Sequence, residues 1–421
     1  MNGAPGRRRL WATRLGLTVL VLAALEGAFR LAGIPWLEGY KLVLKPDPVL
    51  VRRNWPSISL TLFSRSVPVT VNADGFRGHE TGVEKPAGCY RIIVLGDSAT
   101  FGVHVGDDET YSALLEGMLN ADPGRGKRTF EVINAGVIGY STRQGLVYLQ
   151  RDLFRYSPDC LIVSFAINDT VQDTTLPAAE EMARGENRLQ AALAVALNAA
   201  YRASNACRLA IELGMDMKAY LRSSALGRRL VSGTPRPITR EEYAGNLGEF
   251  ARIARERGID LVFFPIPVQL KYAPPGKYEP PFTARDASSG RRALAEAARA
   301  LSRAKERREK AAIHFFMGRM HERMTEDAKA LDEYLEAMSY GEYPIDLRWS
   351  AYQYLTLMGE VAGREHVMIP NPFPAFYARE LSDNPPALYG DAYHPGVVGH
   401  RILAQVLYPV VRDTARKRRP R

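Results

Sequence analysis

The sequence predicts an α/β protein built on a doubly wound parallel sheet, with helical insertions and an N-terminal transmembrane helix. Short apolar runs alternate with amphipathic helical segments from residue 89 onward. Two long stretches without strand character interrupt this alternation, and an uncharged run follows a group of arginines near the amino end. Alternating strands and helices favour a parallel sheet covered by helices on its faces.

The first segment, residues 1–37, is expected to be a cytoplasmic basic tip followed by a transmembrane signal anchor. The apolar stretch over 15–37 is about as long as a bilayer core requires. Glu26 and Arg30 interrupt it and, being four residues apart, can pair on one helix face. A cleaved signal peptide and an amphipathic helix packed on the domain are the alternatives. The positive-inside rule predicts a single-pass membrane protein whose remaining chain is extracytoplasmic.

The charge distribution leaves contact with a membrane open as an alternative. The net charge is +10, and most of the surplus lies in two basic clusters at the chain ends. Solvated tails are the simpler explanation, and contact with an anionic membrane surface is the alternative. The sequence contains no nucleic-acid-binding motif. The clusters are Arg7, Arg8, Arg9, Arg14, and Arg416, Lys417, Arg418, Arg419, Arg421.

Three cysteines, Cys89, Cys160 and Cys207, form no disulfide framework, because one must be unpaired in any case. Cys160 lies in an apolar run and is expected to be a small buried residue. The sequence has neither CxxC nor HExxH, so we expect no metal and no cofactor.

The α/β core is expected in three parts, with other segments around and between them. Predicted strands end in "RIIVLGDS", "FEVINAG", "DCLIVSFAIND" and "DLVFFPIPV", and "HVMIPNPF" is expected to form a short final strand. A Pro-rich, β-type region before the core is expected to form one or two hairpins. The segments are a β-rich pre-domain 38–88, core parts 89–174, 246–287 and 365–412, helical insertions 175–245 and 288–364, and a basic tail 413–421.

The second insertion resembles a tetratricopeptide repeat in one respect. Gly318, Ala330, Tyr334 and Ala337 keep the spacing of the small and aromatic positions of such a repeat. A single unit cannot form a solenoid, so we expect a helical insertion packed on the sheet and a candidate surface for a protein partner. His314 and His321 belong to it and are expected to be packing or surface residues.

Polar residues follow several predicted strands at the point where each strand ends. Asp97 and Ser98 come after the first core strand, residues 136–139 after the second, and Asn168 after the third. Ligands of open parallel sheets bind beyond the carboxyl ends of the strands. We therefore expect these residues to meet at one edge of the sheet.

A second motif, "DAYHPGVVGH", supplies the partners that a serine nucleophile requires. Asp391 is three residues before His394 and can accept a hydrogen bond from its imidazole, fixing the tautomer. Ser98 is then the candidate nucleophile and His394 the candidate base. The N–H groups of Ser98 and Gly139 and the side chain of Asn168 are candidate oxyanion donors.

Each of these residues has a competing interpretation. Ser98 alone is commonly a helix N-cap, and Asp97 is expected to be a turn or structural acid. His104, six residues after Ser98, is a weaker candidate for the base and is expected to face a loop. His400 is expected to be a helix residue. Gly136 competes with Gly139 for the oxyanion site. Arg348 and Trp349 could line a substrate path, although a structural role is the simpler assignment.

Taken in order, the four blocks "LGDSAT", "NAGVIGYST", "AIND" and "DAYH" resemble the SGNH, or GDSL, hydrolases. The resemblance covers about 89–172 and 366–410, with weaker support at 250–270. It implies a flavodoxin-like sheet and assigns Ser98, Gly139, Asn168 and His394 to the four named family residues. Ala166 stands where the family has the Gly of GxND, and Ala99 where many members have Leu. GxSxG, the motif of the other large serine-esterase fold, is absent.

The resemblance implies a membrane-anchored serine hydrolase that cleaves acyl or acetyl esters through an acyl-enzyme. The substrate would be a small-molecule or polymer-linked ester. One alternative is an O-acyltransferase acting on an envelope polysaccharide, which would use the same residues. A second is a non-catalytic binding or scaffold protein on a hydrolase fold.

Overall fold

The computed structural model describes residues 20, 21, 24, 27, 43–47, 49–62, 67–170, 238–270, 287–340, 347–381, 388–391 and 393–418. The chain divides into two compact units. The first comprises Met1–Trp55, Thr61–Ser66 and Leu176–Thr234, and the second comprises Pro56–Leu60, Val67–Thr175 and Pro235–Arg421. Almost all of the predicted anchor 1–37 and of the first insertion, 175–245, lies outside the described residues. Within the described part of the chain, no helix has both the length and the apolar character to cross a membrane.

The predicted alternation of strands and helices is observed over the core. The strands are β1 Leu44–Asp47, β2 Val51–Asn54, β3 Ile58–Leu62, β4 Val67–Val71, β5 Cys89–Gly96, β6 Thr129–Gly136, β7 Cys160–Ser164 and β8 Asp260–Phe263. The helices are α1 Ser98–Phe101, α2 Tyr111–Ala121, α3 Thr142–Tyr148, α4 Ile167–Thr170, α5 Arg240–Arg257, α6 Ala287–Leu301, α7 Arg307–Arg323, α8 Asp327–Ser339, α9 Leu347–Glu365, α10 Phe373–Leu381 and α11 Val397–Lys417.

The region before the core forms two strand pairs, as its composition predicts. β1 and β2 form an antiparallel pair in the first unit, and β3 pairs with β4. A turn follows β4, since Gly75 N–H donates to the Asn72 carbonyl at 3.1 Å. The chain then enters β5, the first strand of the core sheet.

The core sheet is parallel and has the strand order β6-β5-β7-β8. This order, in which the chain starts in the middle and then switches direction, is typical of flavodoxin-like sheets. Met368 extends it by a single parallel bridge to Val262, so part of "HVMIPNPF" lies beside β8, although the structure assigns no strand there. Gly96 is level with Gly136 on one side and with Ser164 on the other. The loops after three strands therefore leave the sheet at one edge.

Helices cover both faces of this sheet. Ile92 and Val94 of β5 share a buried cluster with Leu115 of α2 and Leu403 of α11. On the other side α3 approaches so closely that a Cβ at Gly145 would meet the ring of Phe165 at 2.5 Å. Such close packing on two faces explains why the strands are almost continuously apolar.

The second insertion is helical, as predicted. The helices α7 and α8, and all but the first residue of α6 and the last residue of α9, fall within the predicted bounds 288–364. Gly318 of α7 lies against Tyr334 of α8, where a Cβ would meet the ring at 2.8 Å, and Ala330 and Ala337 are fully buried. The small residues thus allow two helices to pack closely. The likeness to a tetratricopeptide repeat stays a prediction.

Two predicted segment boundaries differ from the observed elements. α5 begins at Arg240, so the first insertion as predicted, 175–245, includes its first turns. α11 continues to Lys417, so most of the expected basic tail 413–421 is helix. Arg416 pairs with Asp122 at 3.0 Å and Arg418 with Asp260 at 3.2 Å. Acidic partners distant in sequence hold these two arginines, which a sequence pattern does not reveal.

Candidate active site

Ser98 opens helix α1 directly after β5, but it is not the residue that caps this helix. The N-cap is Asp97, whose Oδ1 accepts the N–H of Ala99 at 2.9 Å. The Ser98 hydroxyl instead lies 2.7 Å from Nε2 of His394. The sequence left open whether Ser98 is a helix cap or a nucleophile. In the structure Asp97 caps the helix, and the Ser98 hydroxyl faces an imidazole.

His394 lies between Ser98 and Asp391. Its Nδ1 is 2.7 Å from Oδ2 of Asp391, while its Nε2 faces the serine. An ionised carboxylate only accepts hydrogen bonds, so Nδ1 carries the proton and Nε2 is left as the acceptor. In this tautomer the imidazole can take a proton from the serine hydroxyl.

Four hydrogen bonds hold the Asp391 carboxylate. Oδ1 accepts the N–H groups of Tyr393 and His394 at 3.0 and 2.9 Å, and Oδ2 faces His394 and also His104. Partial burial acts to raise the pKa of Asp391, but the hydrogen bonds from His104 and His394 outweigh it and hold the pKa well below its usual range. Asp391 therefore stays anionic beside the imidazole.

His104 takes part in this arrangement, because the loop that it faces is the one that carries Asp391. Its Nε2 lies 3.0 Å from Oδ2 of Asp391, and its ring centroid is 5.5 Å from that of His394. It contacts the acid rather than Ser98, so it is not placed as the base. The sequence places His104 near Ser98, but it gives no indication that His104 contacts Asp391, almost three hundred residues later.

The oxyanion candidates lie in the loops that leave the same sheet edge. Gly139 is the third residue of a turn closed by Tyr140 N–H to the Val137 carbonyl at 3.1 Å, and its φ of 81° favours glycine. Gly136 is unsuitable because its N–H donates to Oδ1 of Asn134 at 3.0 Å and a Cβ there would meet the backbone of Phe101 at 2.5 Å. Its role is close packing.

Asn168 directs its amide group toward the same region. Its Nδ2 donates to the Tyr140 carbonyl at 3.1 Å and to Oδ2 of Asp97 at 3.2 Å. Burial raises the pKa of Asp97 to about 6, partly offset by the Ala99 N–H and the charge of His394. Asp97 thus holds both α1 and Asn168, which agrees with the structural role expected for it.

A small cavity of about 30 Å³, partly open to solvent, lies beside the loops that carry the serine and the histidine. Its lining includes both sequence neighbours of Ser98 and the residue that precedes His394. Ala166 has an ordinary backbone conformation, since it is not among the described residues with positive φ, so alanine fits where the family has glycine. The lining includes Ala99, Ala166, Ile266, Val268, Leu355 and Tyr393.

The remaining histidines are outside this constellation. His314 lies 2.7 Å from Glu333 and stacks on Tyr340, and His321 lies 2.6 Å from Glu326, which confirms their packing role. His400 is fully buried in α11, as a helix residue. The side chains of Arg348 and Trp349 lie outside the described part of the chain, so their expected role stays a prediction.

His400 is expected to make stability depend on pH. Burial, followed by the charge of Arg77, lowers its pKa to about 3, and Nδ1 accepts the N–H of Tyr111 at 3.0 Å. Above pH 6.5 both folded and unfolded states hold a neutral imidazole. As the pH falls below 6.5, the unfolded state binds the proton first and folding loses stability, by about 2 kcal/mol at pH 5.

Urea unfolding at pH 7.5 and pH 5 measures this effect. His400→Asn can keep an acceptor for the Tyr111 N–H and cannot be protonated, so we expect a difference between the two pH values that is about 2 kcal/mol smaller than in the wild type. His79→Asn, at an exposed position, is the control. An unchanged pH difference in His400→Asn would contradict the assignment.

The sequence as a whole decides the family. The profile of the GDSL-like lipase/acylhydrolase family matches residues 94–335, more than half of the chain. The chain belongs to the GDSL-like lipase/acylhydrolase family. It is an ester-hydrolysing enzyme, and the resemblance to this family is thereby confirmed; the matched residues include the first three sequence blocks but not "DAYH". No curated protein matches the chain.

Several solved structures are similar to this hydrolase at low identity. An acetylxylan esterase from Geobacillus stearothermophilus is 15% identical, with 76% of this chain and 93% of that chain covered and a TM-score of 0.37. A lipase/acylhydrolase from Enterococcus faecalis is 15% identical, with 79% and 98% covered and a TM-score of 0.37. An α/β hydrolase from the metagenome of Lake Arreo, Spain, is 16% identical, with 78% and 97% covered and a TM-score of 0.37.

Proposed function

We propose that this GDSL-family enzyme is a serine carboxylesterase in which Ser98 is the nucleophile, His394 the base and Asp391 the acid that orients it. The observation that carries the proposal is the continuous line of hydrogen bonds, 2.7 Å from Ser98 Oγ to His394 Nε2 and 2.7 Å from His394 Nδ1 to Asp391 Oδ2. Both distances are within the range that proton transfer and orientation need.

The reaction then follows the acyl-enzyme route. Ser98 Oγ attacks the ester carbonyl while its proton passes to Nε2 of His394, and anionic Asp391 stabilises the imidazolium. Nε2 returns the proton to the leaving alcohol as the C–O bond breaks. Water attacks the acyl-enzyme with His394 again as base, which releases the acid and restores Ser98.

The developing oxyanion requires donors that face it. We assign this role to the N–H groups of Ser98 and Gly139 and to the amide of Asn168. The side-chain NH₂ group of Asn168 already donates two hydrogen bonds. We expect the longer of them, 3.2 Å to Asp97, to be exchanged for a hydrogen bond to the oxyanion. The assignment is supported by the position of these three residues, which all follow strands at the same edge of the sheet.

Covalent labelling tests this proposal directly. A fluorophosphonate should modify the full-length enzyme once, and mass spectrometry should locate the adduct on Ser98, because the probe reports an activated serine. Turnover of an aryl acetate should fall in proportion to labelling. An adduct on another serine would contradict the assignment, and neither labelling nor turnover would favour a non-catalytic scaffold. Product analysis with a polysaccharide acceptor would detect transfer to a sugar hydroxyl.

We further propose that the cavity beside Ser98 receives the acyl group and limits it to a short chain. Its volume is small, about 30 Å³, so it has room for only a short chain. Ile266, Val268 and Leu355 give it an apolar lining suited to an alkyl chain. Because Ala99 and Tyr393 adjoin the nucleophile and the base in sequence, an acyl carbonyl at Ser98 would have its chain directed here.

Enlarging the cavity should shift the preference toward longer acyl chains. Leu355→Ala makes room for about two further methylenes, each contributing about 0.8 kcal/mol, so kcat/KM for hexanoyl relative to butyryl aryl esters should rise about tenfold. Leu407→Ala is the matched control, because Leu407 is buried in α11 and does not line the cavity. An equal rise in both variants would contradict the acyl-pocket assignment.

Finally, we propose that residues 1–37 anchor the enzyme in a membrane with the catalytic domain extracytoplasmic. Leu20 and Val21 are helical and are 68% and 51% exposed, and large apolar side chains this exposed on a helix suit a lipid environment. Protease added to intact spheroplasts should digest the domain. Full protection, or release of the protein by high salt alone, would overturn the proposal.

A further inference from the structure

The group formed by His104, Asp391 and His394 offers more than an orienting acid. One nitrogen from each imidazole and one carboxylate oxygen all lie within 4.8 Å of one another. Among the residues that the structure describes, no other set of three histidine, cysteine or acidic side chains is gathered in this way. We propose that these three side chains form a Zn²⁺ site, and that zinc bound there switches the esterase off.

The ligand chemistry fits zinc. Two imidazole nitrogens and one carboxylate oxygen are a common set for Zn²⁺, with a water completing a tetrahedral site. Bonds of about 2.0–2.1 Å place tetrahedral ligand atoms about 3.3 Å apart. The two nitrogens lie 2.7 and 3.0 Å from Asp391 Oδ2, so the main adjustment is a closer approach of the two imidazoles.

The surroundings hold His104 ready for this role. Buried Arg77 donates to the carbonyls of Gly102 at 3.3 Å and Val105 at 2.9 Å, on both sides of His104. Gly390 lies so near that a Cβ would meet His104 Cγ at 2.2 Å. The loop and the ring therefore have little freedom, which reduces the entropy that binding would cost.

An ion can reach the site from solvent. The Asp391 side chain is 39% exposed, and those of His104 and His394 are each 13% exposed. Asp391 is anionic, as its four hydrogen bonds require, and it offsets part of the ion's charge. The site is therefore both accessible and of suitable charge.

Inhibition follows from the tautomer of His394 and rests on the proposed function. When zinc occupies Nδ1, the proton of the neutral ring moves to Nε2. Nε2 then donates to Ser98 Oγ and can no longer accept its proton. The coordination of Asp391 also removes the carboxylate that would stabilise an imidazolium. Zinc would thus block the base while leaving Ser98 in place.

Zinc binding and activity are measured separately on the full-length protein. Calorimetric titration with zinc chloride should show one Zn²⁺ bound at this site, and zinc should inhibit aryl acetate turnover reversibly, with recovery on EDTA and no effect of Mg²⁺. His104→Asn should weaken binding and inhibition at least tenfold. His321→Asn, which removes the imidazole of a single histidine–glutamate pair, should leave both unchanged.

Each result decides the inference. Equal zinc binding and inhibition in His104→Asn and wild type would overturn it. If His104→Asn does not fold, X-ray absorption of zinc-loaded wild type decides, because the site requires two imidazole ligands and a shell with fewer would overturn it. Zinc bound at the site of a protein without esterase activity would support the inference while the proposed function fails. Esterase activity without zinc binding would support the proposed function while the zinc inference fails.

Discussion

Ser98→Ala should reduce kcat/KM for an aryl acetate by about 10⁴- to 10⁶-fold while leaving the protein folded. Among the described residues, the hydroxyl forms its hydrogen bond with His394, at 2.7 Å, and Asp97 supplies the cap of α1. Its removal should therefore change the free energy of unfolding by about 1 kcal/mol or less. Only the weak catalysis of the oxyanion donors and substrate binding would remain. Steady-state kinetics and urea unfolding measure the two effects.

Ser141→Ala is the matched control for this substitution. Ser141 is also buried, follows the Gly139 turn at the same sheet edge and is the N-cap residue of α3, where its N–H donates to Gln144 at 3.2 Å. The substitution removes the hydroxyl that donates to Oε1 of Gln144 at 3.4 Å, so it should cost about 1 kcal/mol of stability or less and leave activity of the same order as wild type. A Ser98→Ala enzyme with wild-type activity would refute the nucleophile assignment.

His394→Ala should lose a similar amount of activity, because Ser98 is a weak nucleophile without a base. The combination of Ser98→Ala with His394→Ala should be little worse than either substitution alone, since the two residues act as a unit. Kinetics of both single variants and the double variant with the same aryl acetate test this. His79→Ala, on the exposed surface, is the control.

A large additive loss in the double variant would contradict this coupling. It would mean that His394 contributes to catalysis independently of Ser98, for example by holding the substrate. A His394→Ala enzyme that keeps most of its activity would point to another base. His104 would then be the first residue to test, because its Nε2 also lies near Asp391.

The fold class and the main site residues were predictable because their signals are local. A parallel strand that is buried on both faces must be apolar along its length, so β5 to β8 were found from short runs of sequence. A polar residue directly after such a strand must lie at the sheet edge. Ser98 and Asn168 could therefore be placed before their neighbours were known, and Asp391 and His394 could be paired because they are three residues apart.

Only the tertiary structure decided which of these residues touch. Asp97 rather than Ser98 caps α1, and the Ser98 hydroxyl faces a histidine nearly three hundred residues later in the chain. His104 reaches Asp391 because Arg77 holds its loop, a contact between segments that no spacing rule connects. Sequence alone determined the strands, the polar residues that follow them and the family, because these depend on neighbours along the chain. Hydrogen-bond partners depend on distance in space, and that distance is set only when the sheet, its helices and the last loop pack together.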